Sequence, residues 1–103
     1  MKVFLDDCRP TPDGWVAARW PDEVILLLAE GGVTDVSLDH DLGDDERGTG
    51  YDVLTWIEEA VATRGFQPPR ISVHSANPAA GQRMLQAIAA IERLARRSSE
   101  PLG

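Results

Sequence analysis

Cysteine, lysine and histidine are scarce in this chain: Cys8 stands alone, Lys2 is the only lysine, and His40 and His74 are the only histidines. One cysteine cannot form an internal disulfide, which fits a reducing compartment. Asp6 and Asp7 beside it oppose thiolate formation, so Cys8 is expected to be structural and not a nucleophile. Ten Lys and Arg against 17 Asp and Glu leave a formal net charge of −7. That balance excludes broad, sequence-blind binding to nucleic acid, which works by neutralising phosphates, but it allows a contact with one phosphate. Long apolar runs are missing too: the longest, residues 24–29, falls far short of the roughly 20 residues that span a bilayer. Asp6 and Asp7 also interrupt the apolar start, so no export signal is read there, and a cytoplasmic chain without a membrane partner is expected.

What is present is the composition of an ordinary globular domain, 43% hydrophobic and 26% charged, with no internal repeat and no low-complexity tract. A chain of 103 residues can bury roughly two thirds of its unfolded surface around one core. A single domain over 1–103 is therefore expected, with residues 98–103 frayed. Apolar β-like runs occur at residues 1–5, 36–38 and 70–73, and residues 15–18 read as a short edge strand of open direction. Pro21, Asp22 and Glu23 open a helix over 22–29 that Gly31 and Gly32 close; apolar on nearly every side, it is expected to be mostly buried. Val53, Leu54, Ile57, Ala60 and Val61 make one stripe at helical spacing, predicting a helix over 53–63 stopped at Gly65. Asn77 and Pro78 start a third helix, with its body over 81–95 and Met84, Leu85, Ile88, Ile91 and Leu94 inward. Strands alternating with helices predict an α/β fold: a mainly parallel sheet of three to four strands with about three helices, in two or three layers. The polar, glycine-rich residues 44–50 are either a flap beside the site or a solvated connector.

Each of the three core strands ends in chemistry. Leu5 runs into Asp6, Asp7, Cys8 and Arg9; Leu38 into Asp39, His40 and Asp41; Val73 into His74, Ser75 and Asn77. Parallel strands bring such ends to one rim, where open α/β sheets bind ligands. Carboxylates gathered there raise one another's pKa or recruit a cation, and oxygen ligands suit Mg²⁺ or Mn²⁺, which makes Asp6, Asp7, Asp39 and Asp41 candidate metal ligands. The alternative is that these acids point into water or cap loops. The third helix begins directly after His74, and its free N–H groups and positive dipole suit a phosphate. Arg9 either pins that phosphate or bridges to Asp39 or Asp41. Histidine suits proton transfer near neutrality or metal ligation, which makes His40 and His74 candidates for both. Strand alternation puts His40 on the face opposite Asp39 and Asp41, so a hydrogen-bonded core histidine is its other reading.

Phe4-Leu5-Asp6-Asp7, Val36-Ser37-Leu38-Asp39 and Ile71-Ser72-Val73-His74-Ser75-Ala76 resemble the strand ends of response-regulator receiver domains, with an acidic pair, an acceptor aspartate and a Ser/Thr. The chain departs from a simple receiver in three respects. The loop over 8–14 is too short for the usual first helix, no fifth strand follows Ser75, and the lysine of that strand is missing. The combination Leu-Asp-Asp-x-Arg-Pro, Ser-Leu-Asp-His-Asp-Leu-Gly and His-Ser-Ala-Asn-Pro instead resembles the cyclic-phosphate processing receiver domain, a reduced, receiver-like (truncated flavodoxin-like) group, over nearly the whole chain. The resemblance implies Asp6 and Asp7 as metal ligands, Asp39 as the metal-side or acceptor carboxylate and Ser75 as a phosphate contact. His40, Asp41, His74 and Asn77 are not receiver residues; the family reading uses them to turn a phosphorylation switch into a phosphoesterase. In that implied hydrolase a metal polarises a cyclic phosphate and His74 protonates the leaving oxygen, with His40 and Asp39 as further catalytic candidates and Arg9, Ser75 and Asn77 on the phosphate. The implied substrate is a small cyclic-phosphate nucleotide or an RNA terminus. The other reading is a non-catalytic receiver-like module that holds metal and phosphate, or a protein partner.

Overall fold

The computed structural model describes residues 1–99. Four strands, β1 (Lys2–Leu5), β2 (Val16–Ala18), β3 (Asp35–Leu38) and β4 (Arg70–Val73), form one all-parallel sheet in the order β2-β1-β3-β4. Helices α1 (Pro21–Glu30), α2 (Gly50–Arg64) and α3 (Pro78–Ser99) follow β2, β3 and β4. Of the tail expected to fray over 98–103, residues from 100 onward lie outside the described residues. The edge strand runs parallel to β1, so residues 6–15 carry the chain back along the sheet without a helix. Pairing continues one residue past the strand ends: Asp6 N donates to Ala18 O at 3.1 Å, Asp39 N to Leu5 O at 3.0 Å and His74 N to Leu38 O at 3.0 Å. These bonds hold the three chemistry-bearing ends at one level.

The crossovers β2–α1–β3 and β3–α2–β4 step the same way across the sheet, so right-handed connections place α1 and α2 on the same face, and α3 packs beside α2. Val3, Leu5, Val36 and Leu38 point into that layer and are fully buried against Val24, Leu54, Ile57, Met84 and Ile91. The fold therefore has two layers. Lys2, Phe4, Ser37, Arg70 and Ser72 occupy the alternate strand positions and face the other side.

Two layers leave the outer side of the helices to solvent, and this changes two expectations. Helix α1 is not buried all round, because Leu26 points away from the sheet and is 61% exposed while Val24 and Leu28 are buried. In α3 the inward stripe is Met84, Ile88 and Ile91; Leu85, one position out of it, is 55% exposed. Among the described residues no helix is long and apolar enough to cross a membrane.

Local chemistry sets the helix starts. Glu23 Oε1 accepts from the amides of Arg19 and Trp20 at 2.9 and 2.8 Å, with Pro21 as the first residue of α1. Thr49 Oγ1 accepts from Tyr51 N and Asp52 Oδ2 from Thr49 N, which closes a reciprocal cap on α2. Gly65, at φ +64°, supplies the left-handed stop. The segment before α2 is tied to α1: Arg47 lies over the Trp20 ring at 4.4 Å and approaches Asp22 Oδ2 at 3.7 Å. Gly48 sits so close to Pro21 that a Cβ there would lie 2.6 Å from its Cγ.

Candidate functional site

The rim collects Asp6 and Asp7 from the end of β1 and Asp39 from the end of β3. One carboxylate oxygen of each lies within 4.8 Å of the others. Asp6 Oδ1 accepts from the amides of Cys8 and Arg9, both at 2.8 Å, which bends the chain sharply after β1. Burial alone raises the Asp6 pKa, but the Arg9 and Cys8 amides and His74 together outweigh it and hold the carboxyl below its ordinary value. Asp39 goes the other way. Burial first, then the charges of Asp6 and Asp7, push it above the ordinary value against the opposing His40 amide and His74. Among the described residues no Lys or Arg forms an ion pair with any of the three acids; the salt bridge that reaches them is from His74 to Asp6. The set is all oxygen, partly open to solvent and short of positive charge, which fits a hard divalent cation that keeps some of its water.

His74 is fixed from three sides. Its Nε2 lies 2.9 Å from Asp6 Oδ2, its Nδ1 lies 2.7 Å from Ser37 Oγ, and its ring stacks on Phe4 at 4.3 Å and 2°. A carboxylate can only accept, so Nε2–H donates to Asp6, and in the neutral ring Nδ1 accepts the Ser37 hydroxyl. Ser37, only 9% exposed, is small enough to let the two rings meet across β3. Both ring nitrogens are thus spent on protein, an arrangement that orients a carboxylate. The Arg9 guanidinium donates through Nη1 to the His74 carbonyl and does not reach Asp39 or Asp41.

His40 has the opposite character. Its side chain is 14% exposed, and Nδ1 pairs with Asp41 Oδ1 at 2.8 Å. Asp41 also takes a hydrogen bond from the Asn77 side chain, and the hydrogen bond from His40 is the largest cause of its lowered pKa. With Nδ1–H donated to Asp41, neutral His40 presents an Nε2 lone pair that has no partner among the described residues. No buried side-chain nitrogen or oxygen among them lacks a partner, so this nitrogen reaches solvent. Asp41 itself stands outside the group formed by Asp6, Asp7 and Asp39.

The start of α3 offers less to an anion than its sequence suggests. Pro78 has no N–H, Ala80 N is taken by Asn77 Oδ1 at 3.1 Å and Gly81 N by Asn77 O at 2.9 Å. Asn77 N donates to Ser75 Oγ at 3.1 Å, so the Ser75 hydroxyl remains able to donate. Cys8 is exposed and serves through its amide.

Sequence reasoning passes over Phe4, Ser37 and Gly50. A polar residue at the middle of an apolar strand, in register with Phe4, was the available signal for Ser37. Gly50 touches the backbone of the site: a Cβ there would lie 1.9 Å from Asp39 O, and Gly50 N donates to His40 O at 3.2 Å. The absent side chain lets α2 press on the end of β3.

A family model for the cyclic-phosphate processing receiver domain matches residues 1–90. The chain belongs to that family. Comparisons with curated proteins and with solved structures find no match. Membership of this receiver family accords with the small all-parallel α/β fold. The family's description links such domains to cyclic-phosphate processing.

Proposed function

We propose that this domain hydrolyses a cyclic phosphate, such as the 2′,3′-cyclic phosphate of a nucleotide or an RNA end, with a divalent cation held by Asp6, Asp7 and Asp39. The observation that carries the reading is the trio of carboxylates within 4.8 Å, one of them pushed up in pKa by burial and then by the charges of the others, in a family described by cyclic-phosphate processing. Bound there, Mg²⁺ or Mn²⁺ would draw charge from phosphate oxygens and help activate water. The protein supplies the rest. His40 is the general base: its Nε2 lone pair takes the proton of the attacking water, while the ring oxygen that leaves phosphorus on the opposite side takes its proton from solvent. A bond from water oxygen to phosphorus forms, one ester bond of the ring breaks, and the product carries a monoester beside a free hydroxyl. Asp41, braced by Asn77, orients the His40 ring through Nδ1. The Ser75 hydroxyl and the remaining Arg9 N–H groups offer donors to the phosphate. His74 acts through Asp6 and so is a positioning residue, which moves the proton-transfer role to His40.

The test is a panel of cyclic and linear phosphoesters incubated with purified protein and Mn²⁺, with products followed by mass spectrometry. Ring opening of cyclic substrates is expected, lost in Asp39→Asn and reduced about 10²–10⁴-fold in His40→Gln. Absence of turnover on every substrate, with metal binding retained, would assign the domain to the non-catalytic, metal- and phosphate-holding class.

A further inference from the structure

Three of the four strand ends carry the chemistry described above. The fourth, that of the edge strand β2, carries Arg19. Leu5 pairs with Ala18, and Asp6 N donates to Ala18 O, so Arg19 stands beside the acids of β1 on the rim. It is half-buried and held at three points. Its amide donates to Glu23 Oε1 at 2.9 Å, Nη1 donates to Leu42 O at 2.6 Å, and Cζ lies 4.0 Å from the centre of the Trp20 ring. Nη2 is left over. Arg19 takes part in no ion pair among the described residues, and no buried side-chain nitrogen among them lacks a partner, so Nη2 opens onto free space. Gly43, at φ +93°, borders that space: a Cβ there would stand 3.5 Å from Arg19 Nη2 and 3.7 Å from Asp7 Oδ2. The guanidinium and the carboxylate thus face one gap, kept clear by a glycine, without closing into a salt bridge. Across the sheet the rim runs from Arg19, through the acids of β1 and β3, to the Arg9 guanidinium on the His74 carbonyl at the end of β4.

We propose that Arg19 is the principal phosphate-binding residue of the rim, its Nη2 donating to a non-bridging oxygen of the cyclic phosphate. This rests on the cyclic-phosphate reading above and adds a residue that neither the strand-end motifs nor the acid cluster picks out. As water oxygen bonds to phosphorus and one ester bond of the ring breaks, a singly charged diester becomes a monoester that carries more charge on its non-bridging oxygens. A donor fixed in advance at such an oxygen binds it more strongly as that charge builds. The bond to Leu42 and the stacking on Trp20 set the guanidinium fork before any phosphate arrives, so little freedom is lost on contact. Arg9, exposed and tethered through one side-chain bond, loses more. The competing role for Arg19 is that of a staple: it holds Leu42, while Arg47 lies over the same Trp20 ring, so residues 42–47 are gathered around this corner.

The two roles predict different responses to substitution. Arg19→Met keeps an unbranched stem against Trp20 and removes the donors; Arg19→Lys keeps the charge without the fork. Circular dichroism checks both folds, and if methionine unfolds the protein, lysine carries the same comparisons. The probes are Mn²⁺ alone, inorganic phosphate added to the Mg²⁺-loaded protein, and 2′,3′-cyclic uridine monophosphate as substrate. Removing a positive charge beside a cation site does not weaken that site, so Arg19→Met is expected to bind Mn²⁺ at least as tightly as wild type in calorimetric titration. Its phosphate affinity should fall about tenfold or more, and its kcat at saturating metal about 10²-fold. Arg19→Lys should recover part of the phosphate affinity. Weaker Mn²⁺ binding makes Arg19 a staple of residues 42–47 and overturns the proposal, and so does an unchanged kcat/KM. If wild type turns over no cyclic phosphate, the hydrolase reading fails and the phosphate titrations still decide the role of Arg19. Phosphate binding that Arg19→Met weakens supports it; binding that is absent in wild type, or unchanged in the variant, overturns it.

Discussion

Replacing Ser37 with alanine removes the hydroxyl that reaches His74 Nδ1, and the ring then loses one of the contacts that hold Nε2–H on Asp6. The exposed cost is an unsatisfied, mostly buried acceptor, about 1–3 kcal/mol in chemical denaturation. Because the ring also orients a carboxylate of the acid trio, the Mn²⁺ affinity of Ser37→Ala is expected to fall about tenfold or more by calorimetric titration. An unchanged affinity in a destabilised variant would leave Ser37 with a packing role alone. The acids give opposite pH signatures. Asp6 and Asp41 have lowered folded pKa values, so their contribution to stability is full above the ordinary carboxylate range and is lost as pH falls through the folded values. Asp39 has a raised folded pKa, so its charge opposes folding above that value and the penalty is relieved as pH falls through it. Urea melts from neutral to acid pH should therefore show Asp41→Asn less stable than wild type near neutrality, with the difference shrinking in acid. A difference that stays constant with pH would exclude the His40–Asp41 pairing as its source.

At the scale of elements, two glycines near helix starts make contrary predictions. Gly50 opens α2 against Asp39, where a Cβ would overlap backbone oxygen, so Gly50→Ala should cost at least about 2 kcal/mol and weaken Mn²⁺ binding by displacing the end of β3. Gly81, in the first turn of α3, has nothing within 4 Å of its missing Cβ and no positive φ, so Gly81→Ala should gain about 0.5–1 kcal/mol. Thermal melts of the pair, with and without Mn²⁺, check both signs. The same elements mark what a sequence reader could see. Pro21, Asn77 and Gly65 are local signals, and the helices begin and end at them. Leu26 and Leu85 misled because apolar content says that a residue prefers burial, whereas the number of layers decides whether anything is there to bury it. The parallel edge strand was undecidable locally, since residues 6–15 have enough length for either direction and tertiary pairing with β1 chooses.

Across the whole molecule, the rim was legible because three apolar runs each end in acids or histidine, and a parallel sheet must bring such ends together. The division of labour at that rim was not. That His74 is locked and His40 open depends on Phe4, Ser37 and Asp41 meeting them across strands and loops, which spacing along the chain does not encode. The claim on which the rest depends is that Asp6, Asp7 and Asp39 are a cation site in which the charge of Asp39 is unfavourable until the cation is bound. The most direct measurement is the melting temperature of wild type and Asp39→Asn, each with and without Mn²⁺ at neutral pH. Without metal the variant should melt higher, because it lacks a charge that burial and its neighbours disfavour. With Mn²⁺ at a hundredfold excess over its Kd the wild type should rise by roughly 10–20 °C and overtake the variant, whose own rise is small. The same order of stability in both conditions, or equal shifts in the two proteins, would contradict the account.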